Sequence, residues 1–393
     1  MKIILATTQF YPDTGGVPRL LWTLYKHRPQ DIDVRILTIR NPGPAWDGQS
    51  PTGEQAPVDW IEPRSTAANL PVGGQTSLRF FWRLFSMTLR WKPDLIFCGV
   101  GFPTAIIAAG VRLLTGVPLA VYTHSEDLTI QHPRNRRLLG WALNQAAAVI
   151  TIARFSAEQL SRLGVTRPKI HIIPPGIEVE KFVPSQANPL TGAVPAAEIP
   201  FTLLTVARLI FRKGQDSVLR ALPELRKSLP NVHYRIVGSG PDEPALRELA
   251  QELGVTDLVT FAGGVSDQNL PGAYQACDLF VMPTRPSDDL SEVEGFGIAY
   301  LEAAAAGKPV IAGRAGGTAD AIEDGITGYL VDPTDLKDLT DRIIQLAHDP
   351  DLAARMGAAG RERILARFSA QAFAREVFGC LQQALPHDRA RGI

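Results

Sequence analysis

Short apolar runs alternate with longer segments of helical periodicity along the whole chain. Strands that are buried on both faces read as continuous apolar runs, so this pattern predicts parallel sheets that are covered by helices on both sides. The predicted strands are residues 2–7, 34–39, 94–100, 119–124, 148–153, 170–173, 201–209, 233–238, 258–262, 279–283, 309–312 and 328–331.

The strand–helix pattern occurs twice, and a proline-flanked segment at residues 185–200 separates the two sets. The composition of this segment is typical of an interdomain linker. We therefore expect an α/β protein with one doubly wound domain at residues 1–184 and a second at residues 201–365. Residues 366–393 form a helical tail that is a candidate to pack back on the first domain. Ligands are expected at the carboxyl ends of the strands and in the cleft between the domains.

The charge balance separates the two halves. The chain has 393 residues, with 40 Lys and Arg against 40 Asp and Glu. Residues 1–184 contain 20 basic and 13 acidic residues, a net charge of +7, and the remainder carries the opposite charge. A neutral whole argues against a nucleic-acid binder, whereas a basic first half suits an anionic partner or surface.

The cysteines and the first residues indicate the compartment. Cys98, Cys277 and Cys380 are far apart and form no CxxC motif, so reduced thiols are expected rather than disulfides or a zinc site. The start of the chain predicts a buried strand, not a signal peptide, and no stretch predicts a membrane span. A cytoplasmic protein is expected, with peripheral contact at the inner face of a membrane as a further possibility.

The segment EGFGIAYLEAAAAG places Glu294 and Glu302 on either side of Gly295-Phe296-Gly297. The glycines lie where a strand gives way to a helix, and a helix N-terminus offers unpaired N–H groups to phosphates or hydroxyls. Carboxylates accept hydrogen bonds from paired sugar hydroxyls. The alternative is that Glu294 caps the helix and that Glu302 lies on a solvated face.

Further candidates follow other predicted strands. Arg208 and Lys213, in VARLIFRKGQD, are two cations beside a helix N-terminus that could neutralise a diphosphate, or that are merely solvated. Gly238 follows the next strand in a turn that lacks the third glycine of the dinucleotide fingerprint. Val265 lies in a similar glycine-rich loop, FAGGV.

Two candidates belong to the first half. Gly16 stands in FYPDTGGVPRL, between the first strand and a helix, where backbone N–H groups can approach a ligand. His124 ends the strand LAVYTH, where a histidine is either structural or available for catalysis and sugar binding.

Together these residues resemble glycosyltransferase family 4, whose members are retaining enzymes with the GT-B fold, two Rossmann-like doubly wound parallel-sheet domains facing across a cleft. The resemblance covers nearly the whole chain. Its most specific element is the acid pair in EGFGIAYLE, followed by AAAAGKPVIAGRAGGTADAIEDGITGYLVDP. The preceding TRPSDDLSEVEG, with Asp288, Asp289 and Glu292, is similar to stretches in mannosyltransferases that act on phosphatidylinositol.

The resemblance implies a role for each candidate residue. Glu302 would bind the nucleotide ribose, and Glu294 would lie beside the donor sugar. The backbone from Gly295 to Gly297 would hold sugar and phosphate. Arg208 and Lys213 would bind the diphosphate, and the catalytic residues near the donor sugar would be His124, Arg208, Lys213 and Glu294. Val265 would line the base pocket, and Gly238 would lie at the nucleotide. Gly16 would belong to a glycine-rich loop of the acceptor domain that also borders the donor.

The expected activity is transfer of a hexose, with mannose favoured, from GDP-mannose or a UDP-hexose to a lipid or glycan acceptor. No cofactor and no metal are expected, because the two DxD matches, Asp31/Asp33 and Asp349/Asp351, are not flanked by a plausible nucleotide site. The alternatives are a nucleotide-sugar epimerase, which would need further acid–base groups, and a non-catalytic protein that binds sugar nucleotides. Nucleic acid is not expected as a partner.

Residues 76–94 predict a helix with an unusual surface. Arg79, Arg83 and Arg90 recur on one helical face, and aromatic residues occupy the other sides. This combination is typical of a helix that lies on an anionic membrane, although a helix that covers a sheet also buries aromatic residues.

Overall fold

The computed structural model describes residues 1–11, 13, 15–40, 56–62, 74–183, 200–287 and 293–386. These residues form two compact units. Unit 1 is Met1–Gly176 together with the segment that begins at Ala370, and unit 2 is Ile177–Ser369. The chain thus enters unit 2 upstream of the expected boundary at residue 184, and residues 185–199 of the expected linker lie outside the described residues.

Unit 1 is a parallel sheet with helices on both faces. Along the chain its elements are β1 (Lys2–Ala6), α1 (Gly16–Lys26), β2 (Asp33–Ile39), β3 (Val58–Ile61), α2 (Gly74–Trp91), β4 (Leu95–Cys98), α3 (Thr104–Thr115), β5 (Leu119–Thr123), α4 (Ser125–Leu128), α5 (Pro133–Gln145), β6 (Ala148–Thr151), α6 (Arg154–Arg162) and β7 (Ile170–Ile172). The sheet has the order β3-β2-β1-β4-β5-β6-β7. Strands β2 and β3 are added on one side of β1 and β4 to β7 on the other, so the strand order reverses between β1 and β4. Every residue of β4, β5 and β6 is buried, which is why the sequence shows these strands as continuous apolar runs.

Unit 2 repeats this architecture with six strands. Its elements are β8 (Phe201–Val206), α7 (Gln215–Ser228), β9 (Val232–Val237), α8 (Glu243–Glu252), β10 (Val259–Gly263), α9 (Leu270–Gln275), β11 (Leu279–Met282), α10 (Ile298–Ala305), β12 (Val310–Gly313), α11 (Thr318–Ala321), β13 (Gly328–Val331), α12 (Leu336–His348) and α13 (Pro350–Arg367). The sheet order is β10-β9-β8-β11-β12-β13, all parallel, so the reversal falls between β8 and β11.

The last described helix, α14 (Ala370–Gln383), belongs to unit 1, where it packs on α1 and β6. The ring of Phe373 lies 6.2 Å from that of Tyr122 in β5. Residues up to Ser369 stay with unit 2, because the Phe368 carbonyl accepts a hydrogen bond from the Ile177 N–H over 2.9 Å.

The predicted fold class of two Rossmann-like doubly wound units is confirmed, with one strand missed. Within the described part of the chain, strand β3 lies at the edge of the first sheet, where it pairs with β2. Its sequence, VDWI, contains a charged residue and is mostly half-buried, so it lacks the apolar run that marks the inner strands. Within the described residues, no helix combines the length and the apolar character needed to cross a membrane.

Candidate functional site

The segments that follow β8 and β11 leave the second sheet side by side, because the strand order reverses between these two strands. After β8 the chain turns through a short 3-10 helix, Phe211–Lys213, before it enters α7. The Lys213 ammonium donates a hydrogen bond to Glu294 Oε2, which also lies 3.5 Å from Arg212 Nη1. Arg212, Lys213 and Glu294 thus form an ion cluster at the reversal point.

The ion cluster is largely removed from water. Glu294 is 7% exposed, and the side chains of Lys213 and Arg212 are both mostly buried. Burial by itself would raise the pKa of Glu294, but the charges of Lys213 and Arg212 and the hydrogen bond from Lys213 lower that pKa below its ordinary value. Glu294 is therefore ionised at neutral pH, and the cluster carries one formal positive charge that a phosphate could neutralise.

Close backbone packing holds Glu294 in place. A Cβ added to Gly316 would lie 2.2 Å from the Glu294 carbonyl oxygen, and the Gly317 N–H donates to that same oxygen over 2.9 Å. Phe296, two residues later, is buried with its ring 5.7 Å from Phe368 in an edge-on arrangement. The carboxylate is therefore held by its backbone as well as by its ion pairs.

The predicted glycine turn opens α10. Gly297 is the N-cap residue at φ 89°, and a Cβ there would meet the Tyr300 ring at 2.2 Å, so the position requires glycine. The alternative in which Glu294 caps this helix is wrong. The N-cap glycine has no side chain to cap α10, and the Tyr300 N–H donates to the Gly297 carbonyl over 3.0 Å. The N–H groups of Ile298 and Ala299 are thus the ones that this helix start can offer to a ligand.

Glu302 lies inside α10 and is 3% exposed, so the alternative of a solvated face is also wrong. The hydroxyl of Tyr274, in α9, donates a hydrogen bond to Glu302 Oε2 over 2.7 Å. A buried carboxylate in a helix of apolar residues is costly unless polar partners hold it, which marks Glu302 as a functional candidate.

The described ion pairs of Glu294 are those with Arg212 and Lys213, and Arg208 is not one of them. Strand β8 ends at Val206 rather than at the predicted residue 209, so Arg208 belongs to the bend that follows the strand. Its side chain is exposed, and its carbonyl oxygen accepts a hydrogen bond from Gln215 Nε2 over 3.2 Å. The cation that joins Lys213 at Glu294 is Arg212, which sequence reasoning missed although FRK contains both residues.

The other predicted donor-side residues follow the adjacent strands. Gly238 comes directly after β9 at φ 135°, and a Cβ there would lie 1.9 Å from the Ala207 carbonyl oxygen, next to Arg208. Val265 is half-buried two residues beyond β10. Since β10, β9 and β8 are neighbours in the sheet, Val265, Gly238 and Arg208 follow three consecutive strands.

In unit 1, His124 lies directly after β5 and is the N-cap residue of α4, so the predicted strand is one residue too long. Its ring is buried, with Nε2 3.0 Å from the Gly99 carbonyl oxygen. Because a carbonyl only accepts hydrogen bonds, this contact places the proton of a neutral His124 on Nε2.

Asp127, which sequence reasoning missed, organises the strand ends around His124. Its Oδ2 accepts hydrogen bonds from the N–H groups of His124 and Gly101 at 2.9 Å each, and Oδ1 accepts from Phe102 at 2.8 Å. A Cβ on Gly101 would lie 2.9 Å from the Asp127 carboxyl carbon, so this carboxylate needs the glycine. Only the order HSED, with an acid three residues after the histidine, hinted at this arrangement.

Gly16 is the first residue of α1, and Gly15 precedes it at φ 134°. The turn before them is closed by Asp13, whose Oδ2 accepts a hydrogen bond from the Phe10 N–H over 3.2 Å. Gly16 follows β1 and His124 follows β5, and β4 lies between these two strands in the sheet. His124 directly follows the carboxyl end of β5, whereas Gly16 begins the helix that follows β1 and stands ten residues after the end of that strand.

The acidic residues of the DxD matches have local roles. Asp33 begins β2 at the amino end of the strand, away from the ligand-binding edge. Asp349 is the N-cap residue of α13 and accepts the Leu352 N–H, so this match is a helix boundary, as expected. Asp288, Asp289 and Glu292 lie outside the described residues. Among the described residues, no group of three or more His, Cys, Asp and Glu side chains could hold a metal ion.

Two family models match the chain, one to each half. The model described as Glycosyltransferase Family 4 matches residues 14–181, and the model described as Glycosyl transferases group 1 matches residues 192–363. This pair defines the class as glycosyltransferase rather than epimerase or non-catalytic binding protein.

Full-length similarity supports the same assignment. The GDP-mannose-dependent alpha-(1-6)-phosphatidylinositol monomannoside mannosyltransferase of Mycobacterium tuberculosis is 29% identical over 370 residues, 93% of this chain and 94% of that protein. The GDP-mannose-dependent monoacylated alpha-(1-6)-phosphatidylinositol monomannoside mannosyltransferase of Corynebacterium glutamicum is 28% identical over 387 residues, 97% of this chain and 98% of that protein. The chain belongs to glycosyltransferase family 4.

A solved structure shows the same fold. Anabaena Alr3699/HepE in complex with UDP superposes with a TM-score of 0.78 at 22% identity, over 98% of this chain and 100% of that one. The two Rossmann-like units are therefore those of the GT-B fold.

Proposed function

We propose that this chain is a retaining hexosyltransferase that uses a nucleoside-diphosphate sugar, with GDP-mannose as the donor. The observation that carries this proposal is the ion cluster of Arg212, Lys213 and Glu294, with the buried Glu302 beyond the other side of the Gly297 turn. Cations for a diphosphate and carboxylates for sugar hydroxyls thus flank one helix N-terminus. The choice of mannose is supported by the full-length relatives whose names state GDP-mannose dependence.

Each donor group has a proposed site in unit 2. Lys213, Arg212 and the exposed Arg208 bind the diphosphate together with the N–H groups of Ile298 and Ala299 at the start of α10. Glu302 accepts hydrogen bonds from the ribose hydroxyls, with Tyr274 holding one of its oxygens. Glu294 faces the hexose hydroxyls. The half-buried Val265, after β10, lines the base.

The proposed chemistry needs no protein nucleophile. The acceptor hydroxyl attacks from the face that the diphosphate leaves, and the departing phosphate oxygen takes the acceptor proton. Negative charge grows on that oxygen in the transition state, so the preorganised cations stabilise the transition state more than the ground state. Retention follows because the attacking and leaving oxygens share one face of the sugar.

The test of donor and stereochemistry is direct. The purified protein is incubated with GDP-mannose or UDP-glucose and with phosphatidylinositol mannoside in mixed micelles, and the product is analysed by NMR. We expect transfer from GDP-mannose to give an α-linked product from the α-linked donor. A β-linked product would contradict retention, and transfer from UDP-glucose alone would contradict the donor.

We also propose that the acceptor is a lipid, and that unit 1 meets it by peripheral contact with an anionic membrane. Helices α2, α3 and α5 lie side by side in unit 1, with α3 in the middle. None of the three contains Asp or Glu, and together they carry seven arginines. Those arginines are Arg79, Arg83, Arg90, Arg112, Arg134, Arg136 and Arg137.

The same three helices expose large apolar side chains. Of the eight exposed large hydrophobic residues of unit 1, within its described part, seven lie on them. They are Leu78, Trp82, Leu89, Leu113, Leu114, Leu138 and Trp141, each between 43% and 65% exposed. Arginine, tryptophan and leucine without acidic residues form a surface that suits anionic headgroups and the acyl boundary beneath them.

Two of the three arginines of α2 already have partners within the protein. Arg83 pairs with Asp59 of β3, which raises the pKa of the guanidinium, and Arg79 Nη1 donates to the Glu62 carbonyl over 2.7 Å. Arg134, Arg136 and Arg137 of α5 are exposed. We therefore expect α5 to contribute at least as much binding as α2, from which the sequence alone predicted membrane contact.

Co-sedimentation tests the surface separately from catalysis. The wild-type chain should sediment with vesicles that contain phosphatidylinositol at low salt and remain in solution with phosphatidylcholine vesicles. Replacing Arg134, Arg136 and Arg137 by serine should lower the bound fraction, whereas the same replacement of Arg226, Lys227 and Arg247 in unit 2 should not. Equal binding by the two triple variants would contradict the proposed surface.

A further inference from the structure

Arg285 links two segments of the candidate donor site. It stands three residues after β11, at the start of the segment that leads to Glu294. Its guanidinium forms an ion pair with Asp216 through Nη2 and donates to Ser217 Oγ over 3.1 Å through Nη1. Asp216 and Ser217 lie in the first turn of α7, directly after the turn that carries Arg212 and Lys213.

The same residue also contacts the turn itself. The guanidinium carbon of Arg285 lies 3.6 Å from the centre of the Phe211 ring, and the backbone N–H donates to the Arg212 carbonyl over 2.9 Å. The Arg285 side chain is 13% exposed, although the Phe211 that covers it is largely exposed. An outward-facing phenylalanine thus shields a buried cation from water, which strengthens the pair with Asp216.

The two segments approach too closely to move independently. Gly214 ends the turn at φ 76°, and a Cβ there would lie 2.2 Å from the Pro283 carbonyl oxygen, two residues before Arg285. The segment between β11 and α10 thus contacts the Phe211–Lys213 turn at two places. Arg285, near the start of the segment, binds the Arg212 backbone and the Phe211 ring, and Glu294, near its end, binds the side chains of Arg212 and Lys213.

We propose that Arg285 is a positioning residue that fixes the Phe211–Lys213 turn so that Arg212 and Lys213 meet the donor diphosphate beside Glu294. This inference rests on the proposed function, because the diphosphate is the ligand whose binding is tuned. Arg285 itself touches neither donor nor acceptor in this role, since its two Nη groups and its ring contact are directed to Asp216, Ser217 and Phe211.

An arginine suits this role better than a lysine. A planar guanidinium can stack on a ring while its two Nη groups point to two separate acceptors. A lysine at this position would retain the charge near Asp216 and lose the stacking and the second hydrogen bond. Arg285→Lys should therefore recover part, not all, of what Arg285→Ala loses.

The test separates positioning from general stability. Arg285→Ala should raise the KM for GDP-mannose, and the Kd for GDP, by about 10- to 100-fold, the range for losing one or two charge-assisted hydrogen bonds at the phosphates. The matched control is Arg226→Ala, which removes another Arg–Asp pair of unit 2, Arg226–Asp257, and should leave both constants unchanged.

The pH dependence of activity is a second measurement, because a loss of stability alone would not shift the pH at which activity falls. Among the described residues, Arg212 and Lys213 of the turn lower the pKa of Glu294, and the charge of Glu294 in turn raises the pKa of Tyr300 in α10. If the turn loosens, Glu294 loses its two cations, and the acid limb of activity in Arg285→Ala should move to higher pH. Phe211→Ala should show the same changes in smaller size and serves as the second variant if Arg285→Ala fails to fold.

The outcomes are distinguishable. A wild-type chain that binds no nucleoside diphosphate in calorimetry would contradict the proposed function itself. A wild type that binds GDP, with Arg285→Ala and Phe211→Ala variants that bind equally well and share its acid limb, would overturn the role of Arg285 alone.

Discussion

Lys213 donates a hydrogen bond to Glu294 across 81 residues of sequence. The pair joins the turn after β8 to the segment after β11, the two strands between which the second sheet reverses its order. The position where a doubly wound sheet binds its ligand is therefore already occupied by a fixed lysine and a fixed carboxylate.

Lys213→Ala should lower turnover by about 100-fold or more, because a preorganised cation is lost where charge develops. Arg212 stays 3.5 Å from Glu294 and keeps the buried carboxylate partly compensated, so the fold should survive. Steady-state kinetics and thermal melting measure the two effects. Lys227→Ala, at an exposed lysine of the same unit, is the control, and turnover in Lys213→Ala equal to that of this control would remove Lys213 from the site.

Arg212→Ala should shift the acid limb of activity to higher pH, since Arg212 is one of the two charges that lower the pKa of Glu294. The folded-state pKa of Glu294 lies below its unfolded value of about 4.3. Its contribution to stability is thus present above that value and is lost as the pH falls through the folded pKa. Activity and melting temperature measured from neutral pH down to about pH 3 would show both effects, and an acid limb identical to wild type would contradict the assignment.

Glu302→Gln should weaken the binding of GDP by about tenfold or more, because a neutral amide accepts hydrogen bonds from the ribose hydroxyls more weakly than a carboxylate and replaces one acceptor oxygen by an NH₂ donor. Tyr274→Phe removes the hydroxyl that holds Glu302 Oε2 and should weaken binding in the same direction by less. Calorimetry with free GDP measures both. If Glu302→Gln binds GDP as tightly as wild type, the ribose is bound elsewhere.

Transfer should persist in excess EDTA. In the proposed site, Arg212 and Lys213 neutralise the diphosphate, which is the task of the ion in a metal-dependent enzyme. The measurement is initial rate with and without chelator, followed by addition of Mg²⁺ or Mn²⁺. Activity that disappears with EDTA and returns with either ion would show that the protein cations are insufficient.

Local sequence determined most of the elements. Twelve of the thirteen described strands were predicted, nine of them inner strands. Most inner strands of a parallel sheet are apolar runs, which can be recognised without knowledge of their neighbours. The glycine turn before α10 was predicted for the same kind of reason. Gly297 adopts a φ that other residues rarely adopt, and the helix after it has its own apolar run. The edge strands β7, β10 and β13 were predicted as well, whereas β3 was missed because its four residues, VDWI, include the charged Asp59 and form no apolar run.

The side-chain partners were decided by tertiary structure alone. Sequence reasoning paired Arg208 with Lys213, whereas the fold places Arg212 with Lys213 against Glu294 and leaves Arg208 exposed. Nothing in the order of residues places Arg285 on Asp216, because those contacts exist only once β8 and β11 become neighbours. Periodicity is a property of a few consecutive residues. Strand order is a property of the whole sheet, and it determines which strand ends share the site.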